Sequence, residues 1–196
     1  MKLNLGCGKT HLEGYINVDY RASPSVDQVV DLTSHPWPWP DNSVDAVYTS
    51  HTLEHLPGYE LGAAMDEIYR ILRPGGTLYV AVPYRERGPY NPYHFHVFNR
   101  RTFNTWTVQT DKRDPGAEDL CLQAHHGAFR RAKQEVASRS GFPLYHFVHY
   151  LPWTEGFLFH RDENGAAFSR FPSRVRELRE WLEKVPGSPP SPPPAP

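Results

Sequence analysis

Cysteine is scarce. Only Cys7 and Cys121 occur in 196 residues, too few for a disulfide framework and too far apart for the paired spacing of a zinc site. No run of apolar residues is long enough to span a bilayer, and no charged head followed by an apolar leader is present, so a soluble, cytosolic protein is expected. A surplus of either charge is missing too. With 21 Lys and Arg against 22 Asp and Glu, the net charge is −1, and the broad basic field that drives non-specific nucleic-acid binding is absent. The length suits one domain and leaves no room for a second catalytic unit.

What the chain does have, close to Met1, is Leu3-Asn4-Leu5-Gly6-Cys7-Gly8, an apolar run that stops at two glycines. It reads as a buried first strand entering a ligand loop, because glycine lets the backbone turn sharply and lets a ligand approach the peptide groups. A phosphate-binding P-loop ending in Gly8-Lys9-Thr10 would need a glycine where Leu3 stands. A nicotinamide or flavin fingerprint would need a third glycine at His11, a helix after it, and an acidic residue about 20 positions on. Instead, a second short apolar run, Tyr15 to Val18, ends at Asp19 with almost no room for a helix before it.

Further matches follow in order: Glu13-Gly14-Tyr15-Ile16-Asn17-Val18-Asp19, Asp31-Leu32, Pro40-Asp41-Asn42-Ser43-Val44-Asp45, His51-Thr52-Leu53-Glu54-His55 and Leu72-Arg73-Pro74-Gly75-Gly76. Together these segments resemble small class I S-adenosylmethionine-dependent methyltransferases, continuously to about residue 83 and loosely beyond it. The resemblance implies an α/β fold with a Rossmann-like, mostly parallel sheet, an antiparallel edge hairpin and a shortened N-terminus. It implies S-adenosyl-L-methionine as cofactor, held by Asn4, Gly6, Cys7, Gly8, Asp19, Asp31, Leu32, Ser50 and His51. Asp19 would accept from the ribose hydroxyls and Asp31 from the adenine amino group. The loop departs from the family at Asn4, where an acidic residue is usual, and at Thr10.

Methyl transfer to an oxygen or nitrogen acceptor is the expected activity, with a small-molecule or glycan-like acceptor rather than nucleic acid, and no membrane partner. A non-catalytic module that binds or senses the cofactor is the alternative. The candidate catalytic residues are His51, His55 and His94, because histidine titrates near neutrality and His51 and His55 follow the fourth strand at the sheet edge. Other histidines, in His94/His96, His125/His126 and His146/His149, invite a metal reading. No carboxylate or cysteine recurs at ligand spacing near them, so no metal is expected.

For the rest, Val44 to Ser50 reads as a strand, Tyr59 to Leu72 as an amphipathic helix and Thr77 to Val82 as the next strand. The prolines and tryptophans of His35 to Pro40 read as a semi-rigid connection whose rings either cover the adenine or, the favoured reading, pack on a neighbouring helix. Residues 1–185 form the expected domain, with 83–117 as a lid-like insertion and 186–196 as a disordered Pro-rich tail. Periodicity places helices over Glu118 to Ser140 and Arg174 to Val185, and the last two strands over Pro143 to Tyr150 and Phe157 to His160.

Overall fold

Lys2–Leu5 (β1) is flanked on both sides by parallel strands, Ile16–Asp19 (β2) and Val44–Ser50 (β4), and buries three of its four residues. The short Gln28–Val29 (β3) pairs outside β2, and Leu72–Pro83 (β5) outside β4, both parallel. Phe129–Ser138 (β6) and Val175–Lys184 (β7) complete a seven-stranded sheet in the order β3-β2-β1-β4-β5-β7-β6. The computed structural model describes residues 1–84, 91–107, 129–138 and 175–185. Among these, no helix is long and apolar enough to cross a membrane.

Glu60–Ile71 (α1) covers the sheet with a stripe of Leu61, Ala64, Met65, Ile68 and Ile71, all buried, at the expected helical spacing. It ends before Pro74-Gly75-Gly76. The chain passes straight into β5, and those three residues fall where the pairing jumps from Val44 with Leu72 to Ala46 with Thr77, as a bulge does. The proline stretch docks on α1 as expected. Glu67 accepts the Trp37 N–H at 2.6 Å, and the Arg70 guanidinium donates to the Trp37 and Trp39 carbonyls at 3.1 and 3.0 Å. Trp37 and Trp39 are buried edge to face, 5.9 Å apart.

Two helix assignments need correction. Residues 129–138, inside the expected helix from Glu118 to Ser140, are β6, and the expected helix from Arg174 to Val185 is β7. β7 runs antiparallel to both β5 and β6, so the antiparallel edge exists but is built from other residues than anticipated. Pro143 to Tyr150 and Phe157 to His160 lie outside the described residues. β7 alternates as a strand should, with Leu178, Glu180, Leu182 and Lys184 buried. Two of those four are charged, so Leu178 and Leu182, with Val175 before them, remained as an apolar set at helical spacing. In β6 a register shift between Arg131 and Lys133 reverses which residues face inward, and hides the two-residue period.

Of the expected insertion, residues 83–84 and 91–107 are described, and they pack on the domain. Tyr84 bridges to Phe98, and Phe98, Phe103 and Trp106 are buried together.

Lys184 closes the far end of α1. Its Nζ donates at 2.8 Å to the Tyr69 and Leu72 carbonyls and to the Asn42 side chain, and lies 4.4 Å from the Tyr69 ring centre. Helix C-termini leave carbonyls without partners, and here a lysine from a distant strand supplies donors. Lys184→Met keeps the buried stem and removes the donors, so it should lower the unfolding free energy by about 2–3 kcal/mol. Urea denaturation checks this; a loss within about 0.5 kcal/mol, the scale of surface changes, would mean that water caps the helix equally well.

Candidate active site

The carboxyl ends of β1, β2, β3 and β4 meet at one edge of the sheet. Beyond β1 the chain turns through Gly6 and Gly8, with φ of +67° and +56°, values that L side chains rarely adopt. A Cβ built on Gly6 would overlap the Thr52 side chain, whereas one on Gly8 would meet nothing within 4 Å. The loop is therefore closed against β4 on one side and open on the other. Thr52 Oγ1 lies 3.3 Å from the Leu5 and Gly6 carbonyls and 3.2 Å from that of Ser50, tying the loop to the end of β4.

Between β1 and β2, a web of amides replaces the usual crossover helix. Asn4 Nδ2 donates to Asn17 Oδ1 at 2.9 Å, and the Leu12 N–H donates to the same oxygen at 2.8 Å. The Asn17 N–H and Nδ2 both donate to Asp27, at 2.7 and 2.8 Å, and these bonds hold the Asp27 carboxyl below its ordinary range. Asn4 is buried within this web. It braces the loop, which accounts for an amide where a carboxylate was anticipated.

Asp19 projects from the end of β2 and accepts from the Gly8 N–H at 2.9 Å and the Arg21 N–H at 3.1 Å, using two of roughly four lone-pair sites. Asp31 follows β3, and one of its oxygens accepts from the Thr33 N–H and hydroxyl at 2.9 and 2.7 Å, which lowers its pKa. Leu32 is buried and its carbonyl accepts from the Trp37 indole at 3.2 Å. The Cys7 thiol is pushed up first by burial and then by nearby Asp19, so it stays neutral.

His51 begins the stretch after β4 with φ of +54°, unusual for a residue with a side chain. Its Nε2 lies 3.3 Å from Glu177 of β7 and its Nδ1 3.2 Å from Glu54. Glu177 first and Glu54 second raise the imidazole to about 9. Both ring nitrogens are thus engaged with carboxylates.

A tight helical turn, Leu53–His55, follows. His55 Nδ1 donates to the Tyr93 carbonyl at 2.9 Å, and the Phe95 N–H donates to the Glu54 carbonyl at 2.8 Å. These two bonds fasten the 93–95 segment over the turn. The His55 and His94 rings meet edge to face at 4.7 Å, while His96 packs beside Phe98 instead. Thr52, Glu54 and Glu177 had not been expected at the site. Glu54 was visible beside His55, but Glu177 was hidden in a stretch read as helix.

Residues 12–80 match a family model described as a methyltransferase domain. A probable S-adenosylmethionine-dependent methyltransferase of Mycolicibacterium smegmatis is 37% identical over 68 residues, 32% of this chain and 26% of that protein. A probable methyltransferase of Aspergillus luteorubrus is 31% identical over 99 residues, 48% of this chain and 32% of that protein. The chain thus matches only about a quarter to a third of those relatives' length. Among solved structures, the YcgJ protein of Bacillus subtilis superposes with a TM-score of 0.57 at 14% identity, covering 95% of this chain and 92% of that one. The 1,6-didemethyltoxoflavin-N1-methyltransferase of Burkholderia thailandensis, solved with S-adenosylhomocysteine, gives 0.51 at 14% identity over 94% and 70%. Sheet order and the likeness to these structures give the chain the Rossmann-like methyltransferase fold, and residues 12–80 carry the match to a methyltransferase domain.

Proposed function

We propose that the protein transfers the methyl group of S-adenosylmethionine to an oxygen or nitrogen of a small-molecule or glycan-like acceptor. The observation that carries this reading is the pairing of the open Gly8 turn with Asp19, whose carboxylate the Gly8 N–H holds at the same rim. The free lone pairs of Asp19 suit the vicinal ribose hydroxyls, and the second oxygen of Asp31 suits the adenine amino group. The methionine end then runs past Gly6 and Cys7 toward Ser50 and His51. His55 and His94 stand beyond it, beside the path of an incoming acceptor. In-line transfer to a sulfonium methyl needs positioning and exclusion of water more than covalent help.

Calorimetry with S-adenosylhomocysteine tests the cofactor half. Asp19→Ala should weaken binding roughly 10- to 100-fold, the worth of charge-assisted bonds to the ribose after water compensates in part. Unchanged affinity would remove Asp19 from the ribose. Tritiated methyl transfer to a mixed acceptor library tests the other half, and tight cofactor binding with no transfer to any acceptor would favour a sensing module.

A further inference from the structure

Glu54, His55 and His94 each present one metal-ligating atom, and the three atoms lie within 4.8 Å of one another. Carboxylate and imidazole ligands about a zinc ion at about 2.0–2.1 Å sit somewhat closer together than that, so modest side-chain movement would close the set. We propose that these residues form a binding site for a divalent transition-metal ion such as zinc, on geometry that does not depend on the methyl-transfer reading.

Three features support it. The Glu54 side chain is almost wholly buried, at 1% exposure, yet its Oε2 has no hydrogen-bond partner. A bare carboxylate oxygen in that position is costly, and a cation would satisfy it. Next, His55 Nδ1 is committed to the Tyr93 carbonyl, which leaves the lone pair on Nε2, the arrangement that outer hydrogen bonds impose on metal-binding histidines. The other Glu54 oxygen is likewise held, by His51 Nδ1. Finally, the 93–95 segment is pinned to the turn by the Phe95 N–H bond to the Glu54 carbonyl and the His55 Nδ1 bond to the Tyr93 carbonyl, so His94 is brought to the other two by fixed structure and not by chance contact of surface side chains.

Two imidazoles and one carboxylate favour zinc and its first-row neighbours over magnesium or calcium, which prefer all-oxygen shells. Three protein ligands leave a coordination position open. The cation would then face the rim where the acceptor enters, and an acceptor bearing a hydroxyl or carboxylate oxygen could fill the vacancy. The expectation of no metal had rested on the lack of a carboxylate near the histidine pairs in sequence. Glu54 meets His94 only in the fold.

The full chain, stripped with chelator and dialysed, should be titrated with cobalt(II) and with zinc, by visible absorption and calorimetry. One ion per chain is expected, with tetrahedral cobalt absorption lacking thiolate charge transfer. His55→Ala and His94→Ala should each weaken binding by at least about 10- to 100-fold, while His96→Ala leaves it unchanged. Circular dichroism confirms that the variants are folded, and both histidines sit on the rim, so the test does not depend on replacing buried Glu54. Absence of stoichiometric binding, indifference to both histidine changes, or a thiolate band pointing to Cys7 or Cys121 would overturn the proposal. S-adenosylhomocysteine binding in chelator, measured alongside, reports on the cofactor site separately.

Discussion

Replacing Arg131 with methionine should destabilise the protein by about 3–5 kcal/mol at neutral pH, the range for removing one partner of a buried ion pair. Its partner, Glu180, is fully buried in the centre of β7 and accepts from Arg131 Nε at 2.9 Å and from Gln134 Nε2 at 2.6 Å. Arg131 also donates to Asn104 at 3.0 Å, so one guanidinium joins β6, β7 and the turn Thr102–Trp106. Burial pushes the Glu180 carboxyl up, and the arginine works against that rise. A carboxyl whose folded pKa exceeds its unfolded value, about 4.3, favours folding below that value and loses the contribution as pH rises through the folded pKa. Without Arg131 the folded pKa climbs further. The deficit of the variant should therefore be widest near pH 7 and narrow as the solution is acidified toward the unfolded pKa. Urea denaturation of both proteins across that range reads this directly. A deficit independent of pH would show that Arg131 acts by packing alone. Adding Glu180→Gln to Arg131→Met should recover part of the loss at neutral pH.

Gly6→Ala should cost about 2–5 kcal/mol, and Gly8→Ala, two residues away, only about 1–2. Both glycines have left-handed φ, so each substitution carries about 1–2 kcal/mol of backbone strain. Only Gly6 faces Thr52, where a new methyl overlaps the side chain and overpacking adds about 1–3 kcal/mol. Thr52→Ala in the Gly6→Ala background should relieve part of the clash but not all, since Thr52 Cβ lies 2.8 Å from the added carbon. Binding should follow the reverse order. Gly8→Ala puts its methyl on the open side of the loop and should reduce affinity for S-adenosylhomocysteine far more than it reduces stability. Thermal melts and calorimetry on the same preparations separate the two effects. Equal stability losses at the two positions would mean that Thr52 yields freely and does not brace the loop.

The half of the fold from β1 to β5 was legible because each element there obeys its own period. β1 carries the buried leucines Leu3 and Leu5, β4 is rich in β-branched residues, α1 carries one apolar stripe, and polar residues close each strand at the same edge. Asp19 and the glycine loop emerged from that regularity. The far edge was not legible, for two physical reasons. β7 buries Glu180 and Lys184 on the same face as its leucines, so its pattern no longer alternates between apolar and polar. β6 contains a bulge that reverses its facing midway. In both strands the inward charges are satisfied only by residues far away in sequence, and no local window contains the partner. The same holds at the site, where Glu177 reaches His51 from β7 and His94 reaches Glu54 from the segment after β5.

The place of β7 in the sheet also bears on how the fold is reached. It lies between β5 and β6, although it follows both in the chain, and Leu78 of β5 finds its neighbour in Leu182. Until β7 arrives, β5 has an open edge and Phe129 and Val136 of β6 have no strand to pair with. Pairings of such long sequence separation must meet their loop-closure cost before the contacts reward it, and folding is correspondingly slow. During synthesis the nearly complete parallel half therefore waits with an unpaired apolar strand exposed, the condition under which strand edges recruit other chains. A refolding experiment should accordingly show α1, the β1–β4 strands and the β5 amides that face β4 protected from hydrogen exchange before the β5 amides that face β7.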